Sequence, residues 1–118
     1  MATRSRIAIK NDDGTYTSIY CHYDGYVEGV GAELVNHFDD REKIKVLMDG
    51  GDCSSIDNGV VETYRSLGET GTDAVIHPTF EKLTGYFEEY NYVFDNDTWF
   101  VYRNDDDFPK SVSKILFQ

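Results

Sequence analysis

Two blocks of alternating apolar and polar residues dominate the hydrophobic pattern, one at each end of the chain. In the first, Ile7-Ala8-Ile9-Lys10 and Tyr16-Thr17-Ser18-Ile19-Tyr20-Cys21-His22 flank Asn11-Asp12-Asp13-Gly14-Thr15. Alternation around a short polar turn with Gly predicts a β-hairpin. In the second, Tyr90-Asn91-Tyr92-Val93-Phe94 and Thr98-Trp99-Phe100-Val101-Tyr102 flank Asp95-Asn96-Asp97. This is again a hairpin, with Tyr90, Tyr92 and Phe94 on one face and Asn91 and Val93 on the other.

Between the hairpins the period changes. Val27, Val30, Leu34 and Phe38 recur at helical spacing. Because Gly29 and Gly31 weaken the first turn, this helix is expected to run from near Gly31 to near His37. Asp39, with Glu42 three residues on, reads as the N-cap of a second helix whose apolar face is Ile44, Leu47 and Met48. Gly50-Gly51 stops it. Cys53 to Gly59 reads as loop, Val60 to Arg65 as a strand, and Gly68 to Asp73 as a flexible loop. Ala74 to Glu89 is ambiguous: Pro78 interrupts it, and Phe80, Leu83 and Phe87 suggest a short helix. Asp105-Asp106-Asp107 reads as an acidic turn. Phe108 to Phe117 reads as a terminal helix with Pro109 in its first turn and Val112, Ile115 and Leu116 inward. The order β-β-α-α-β-α-β-β-α predicts an α+β domain spanning residues 1–118, with about five antiparallel strands and helices on one face.

Composition adds a core and a charge. Nine Tyr, seven Phe and one Trp in 118 residues supply enough apolar surface for one domain. Twenty-two acidic residues against eleven basic ones give a formal net charge of −11. Such a field repels nucleic acid and anionic membrane and attracts basic protein surfaces or cations. Its ordinary role is to keep a tyrosine-rich domain soluble. Met1 to Arg6 has basic residues but no apolar h-region of signal-peptide length after them, and no apolar run approaches a membrane span. Cys21 and Cys53 therefore read as two cytosolic thiols, not a disulfide framework.

Candidate chemistry is sparse. Cys21 and His22 are adjacent, so on a regular strand they point to opposite faces and form no dyad; a dyad would need His37 or His77. Asp24 and Glu28 carry no specific acid–base signal. Three His and two Cys lack any short ligand spacing, and the Asp-rich turns lack the full calcium-loop pattern. No metal, no cofactor and no catalytic residue is expected. Gly25, Gly29 and Gly31 precede a helix as a phosphate-cradling loop would, but they match neither glycine-rich nucleotide pattern. Tyr16, Tyr20, Tyr23, Tyr26, Tyr64, Tyr86, Tyr90, Tyr92 and Tyr102 exceed the needs of a small core. Tyrosine favours interfaces. The densest cluster assigns a binding surface to Tyr20, His22, Tyr23, Asp24, Gly25, Tyr26, Gly29 and Gly31.

Arg4 to Ile9, Asp13-Gly14, Ile19 to Tyr26, Gly29-Val30-Gly31 and Gly51 to Ser55 together resemble small uncharacterised accessory proteins of tailed phages. The resemblance covers roughly the first half of the chain. It implies a product acting in the host cytoplasm, where such proteins often inhibit a host enzyme or defence system by binding. The resulting expectation is a non-catalytic inhibitor of a host or defence protein. A sponge for an anionic signalling nucleotide and an acidic DNA mimic are the alternatives. The nucleotide reading requires Arg4, Arg6, Arg65 or Arg103 to converge. Direct nucleic-acid and membrane binding are not expected; self-association is left open.

Overall fold

The computed structural model describes residues 2–85, 88–103 and 109–117. Tyr86, Phe87, the Asp105–Asp107 turn and Phe108 lie outside the described residues. Among the described residues the fold is mixed: one eight-stranded, mostly antiparallel sheet with four α-helices. Strands β1 (Ser5–Lys10) and β2 (Tyr16–Cys21) form the first hairpin, and β6 (Tyr90–Asp95) and β7 (Thr98–Arg103) form the second. Both match the alternation. In the second turn Asn96 and Asp97 both take positive φ, as a two-residue hairpin loop requires.

The sheet is larger than the five strands expected. Its order is β4-β3-β2-β1-β6-β7-β8, with β5 also paired to β2. Three strands go beyond the hydrophobic pattern. Strand β3 (Cys53–Asp57) occupies the stretch that reads as loop and pairs with β4 (Val60–Thr63). The signal for it is Asn58-Gly59, both at positive φ in the two-residue turn between them. Strands β5 (Val75–His77) and β8 (Lys110–Ser111) are too short to show a period. Two pairings, β1 with β6 and β2 with β3, are parallel, although the hairpins suggest a wholly antiparallel sheet.

Helices α1 (Ala32–His37), α2 (Arg41–Gly50) and α4 (Val112–Leu116) cover one face. There Val30, Leu34, Ile44, Leu47 and Val112 pack on Ile7, Ile19, Tyr92, Phe94 and Trp99. The helical path opens earlier than expected, with a π turn over Val27–Gly31 that runs directly into α1. Asp40, not Asp39, caps α2: its side chain accepts from Lys43 N at 2.9 Å. Asp39 instead meets Lys43 Nζ at 3.0 Å. Ser111 caps α4, so Pro109 precedes that helix rather than entering its first turn.

Helices do not keep to one face. Helix α3 (Phe80–Leu83) covers the other, where Phe80 and Leu83 pack on Ala8, Tyr16 and Val93. These strand residues alternate with Ile7, Ile9, Tyr92 and Phe94, so both faces of the sheet's centre are covered. Arg6, Ser18, His77, Glu88 and Asn91 are buried on this second side.

Candidate functional site

The Tyr20–Gly31 segment begins where β2, still paired to β1, changes partner on its other edge. Strand β5 ends its pairing at Ser18, and β3 begins opposite Cys21. The carboxylate of Asp52 fills the gap, accepting the Tyr20 N–H at 2.8 Å. Half-burial raises the Asp52 carboxyl above its ordinary range, partly opposed by that hydrogen bond. Beyond Cys21, His22 N donates to Cys53 O and Tyr23 N to Ser54 O, at 3.1 and 2.9 Å. The segment is thereby tied to β3 before it turns at Asp24, whose φ is +59°.

The three glycines allow close approach. A Cβ on Gly25 would stand 2.7 Å from Thr3 O, and one on Gly29 would collide with Asp24 O. One on Gly31 would press the Tyr92 ring at 3.3 Å. Backbone donors of this segment are used inside the chain. Gly25 N donates to Thr3 O, Gly29 N to Tyr26 O and Val30 N to Asp24 O. Tyr92 then closes the loop by donating its hydroxyl to Gly25 O at 2.6 Å.

Seven of the eight expected site residues separate into three groups, and Gly29 lines the cleft beside the second. Tyr20, His22 and Tyr23 stand together: Tyr20 Oη and His22 Nδ1 are 2.6 Å apart, and the His22 and Tyr23 rings meet edge-on at 4.6 Å. Burial pushes the Tyr20 hydroxyl up to about 12. Asp24 and Tyr26 form a second group, with the Tyr26 hydroxyl donating to Asp24 Oδ1 at 3.3 Å. They line a cleft of about 340 Å3 with Glu28, Gly29, Glu33, Ser55, Ile56 and Asp57. Gly25 and Gly31, the third group, are buried.

Four carboxylates, Asp24, Glu28, Glu33 and Asp57, border that cleft. The sequence analysis assigns only Asp24 of these to the site; Glu28 follows it in the same segment, and Glu33 of α1 and Asp57 of β3 join them only in the fold. Glu33 is also a local fastener. It accepts Asn58 N at 3.1 Å and Gly59 N at 2.8 Å, joining α1 to the β3–β4 turn.

The other sequence candidates have separate surroundings. Cys21 and Cys53 are register partners across β2 and β3, both buried as free thiols. The neighbouring Cys21 thiol and burial push the Cys53 thiol well above its ordinary value, which disfavours the thiolate. His77 lies on the opposite side of β2 from Cys21, against Ser18, and His37 lies beside Glu33 and Gly59, so the structure shows no Cys21–His dyad. The four arginines have separate recorded partners. Arg4 meets Glu89, Arg6 meets Glu88, Arg65 meets Asp73, and Arg103 lies 5.0 Å over the Tyr90 ring. Among the described residues no three His, Cys, Asp or Glu side chains are grouped to hold a metal ion. Nor is any helix there long and apolar enough to cross a membrane.

A buried polar chain on the second face escapes sequence reasoning. Arg6 donates to Ser18 Oγ at 3.0 Å and to Glu88 Oε1 at 3.1 Å, and Ser18 Oγ stands 2.7 Å from His77 Nε2. Burial first, and then the charge of Arg6, lower the His77 pKa below its ordinary value. With the ring neutral, Ser18 accepts from Arg6 and offers its own hydrogen to Nε2. The unfolded chain therefore takes up a proton before the folded one does. His77 should hold its full contribution to stability above about pH 6.5 and lose it progressively below. Urea unfolding of wild type and His77→Gln across that range should show a stability difference that shrinks on acidification. A difference independent of pH would mean that His77 titrates alike in both states.

Neither the family models nor the curated proteins nor the solved structures contain a match to this chain.

Proposed function

We propose that this chain is a non-catalytic binding protein of the tailed-phage accessory type that occupies and blocks a host or defence protein in the host cytoplasm. The observation that carries this reading is the acidic cleft beside two exposed aromatics. Asp24, Glu28, Glu33 and Asp57 border it, and Tyr26 at its edge and nearby Tyr23 are 39% and 48% exposed. Tyrosine offers contact area with a polar tip, and carboxylates select a basic surface and hasten encounter with it. The net charge of −11 extends the same preference over the whole molecule. The partner is accordingly a protein with a basic face.

The nucleotide sponge has less support. The N–H groups of Gly25 and Gly29 are used internally, and Arg4, Arg6 and Arg65 each face a carboxylate. A DNA mimic presents carboxylates in a row, whereas these four border one cleft.

Immobilised wild-type protein should retain a basic protein from host lysate and release it as salt shortens the Debye length from about 10 toward 3 Å. Tyr26→Ala should weaken retention by about 2 kcal/mol or more while leaving the melting temperature nearly unchanged, as expected of an exposed interface tyrosine. Asp24→Lys combined with Glu28→Lys should abolish it, and duplex DNA should not be retarded in a gel at physiological salt. Undiminished capture by the charge-reversed protein, or micromolar binding of DNA, removes the reading.

A further inference from the structure

We propose that Asn58-Gly59 is a site of intramolecular deamidation that the Glu33 carboxylate holds in check. Asn58 is exposed at the tip of the β3–β4 hairpin, and the residue after it has no side chain to obstruct attack on its amide. In the reaction the Gly59 backbone nitrogen loses its proton and attacks Asn58 Cγ. A C–N bond forms, the side-chain nitrogen leaves as ammonia, and a five-membered imide remains. Water then opens the imide at either carbonyl, giving Asp or its isoaspartyl isomer at position 58. No oxidant or cofactor enters.

The geometry opposes the first step. Gly59 N–H donates to Glu33 Oε1 at 2.8 Å, and Asn58 N–H donates to Glu33 Oε2 at 3.1 Å. Removing the Gly59 proton would create negative charge directly against a carboxylate, with Asp57 adjacent in the chain. The same two bonds hold the turn against α1 and restrain the Gly59 nitrogen from rotating toward Cγ. On the other side the His37 ring closes over Gly59: a Cβ there would stand 3.1 Å from its Cγ and Nδ1. The hairpin sets the turn's two positive φ values, +52° and +80°, and the Glu33 contacts add a second restraint on the Gly59 nitrogen.

The product bears on the acidic cleft. Asp at position 58 adds a carboxylate between Asp57 and the Glu33 contact. The isoaspartyl form also inserts a backbone atom into a turn whose two-residue length sets the β3–β4 register. Both changes loosen the attachment of β3 to α1, and with it one wall of the cleft.

The test follows conversion at Asn58 by peptide mapping of the full chain, incubated at mildly alkaline pH and physiological temperature. Asn96, also at positive φ in a hairpin turn, serves as the reference. Folded wild type should convert several-fold more slowly at Asn58 than wild type in urea. Folded Glu33→Ala should approach the urea rate at Asn58 while Asn96 stays at its wild-type rate. Glu33→Gln, which keeps an oxygen acceptor but not the charge, should lie between. The proposal is overturned if folded wild type converts as fast as the unfolded chain. It is equally overturned if Glu33→Ala leaves the Asn58 rate unchanged, or raises both sites in parallel, which marks general unfolding.

Discussion

Replacing Tyr92 with Ala is expected to cost about 3–5 kcal/mol of stability, the range for truncating a buried aromatic. Tyr92 is fully buried in the middle of β6 and packs within the main core beneath Gly31 and Val112. It also donates to Gly25 O at 2.6 Å, joining β6 to the turn that leads from β2 to α1. Burial raises its hydroxyl pKa far above the ordinary value, so the group remains a neutral donor throughout the physiological range. Tyr92→Phe separates the two contributions. It preserves the ring but strands the Gly25 carbonyl, at a cost of about 1–3 kcal/mol. Urea unfolding of both variants gives the magnitudes, and amide exchange at Gly25 and Val30 reports the turn directly. Were Tyr92→Phe to unfold like wild type with unchanged exchange there, the hydroxyl would not be what holds the segment.

The second large effect is expected on the opposite face. Arg6 and Glu88 meet at 3.1 Å with both side chains only 9% exposed. Removing one member of a buried pair leaves the other charge in a poor solvent, which costs about 3–5 kcal/mol. Arg6→Met should therefore be strongly destabilising, and Glu88→Leu likewise. The double variant should recover much of the loss, because burying neither charge is often as favourable as burying both. The double-mutant cycle gives the coupling, and it should persist at high salt because a buried pair is poorly screened. Additive single effects of less than about 1 kcal/mol would describe a solvent-exposed pair instead. Because Arg6 also supports Ser18, and through it His77, part of the cost will appear as loosening of β5.

What the chain determined by itself was local. Alternation and turn residues specify β1–β2 and β6–β7 with their registers, since a one-residue slip would invert Ile7, Ile19, Tyr92 and Trp99 out of the core. Helical spacing and Gly50-Gly51 specify α2 in the same way. The crowding of Tyr23, Asp24 and Tyr26 on an exposed turn was also legible, because each is within a few residues of a recognisable strand end. The tertiary structure decided everything that depends on distant segments. Strands β5 and β8 are only three and two residues long and owe their existence to the edges they pair with. Arg6 and Ser18 alternate as solvent-facing residues should, and are buried because α3, His77 of β5 and Glu88 pack on that face. The glycines at 25, 29 and 31 read as an open anion loop in sequence. In the fold they are contact points under Thr3, Asp24 and Tyr92, and nothing in their spacing points to those neighbours. The acidic cleft likewise needs Asp24, Glu33 and Asp57 from three elements. Period and turn chemistry encode interactions between near neighbours, whereas which faces become covered and which charges converge follow from the packing of the whole chain.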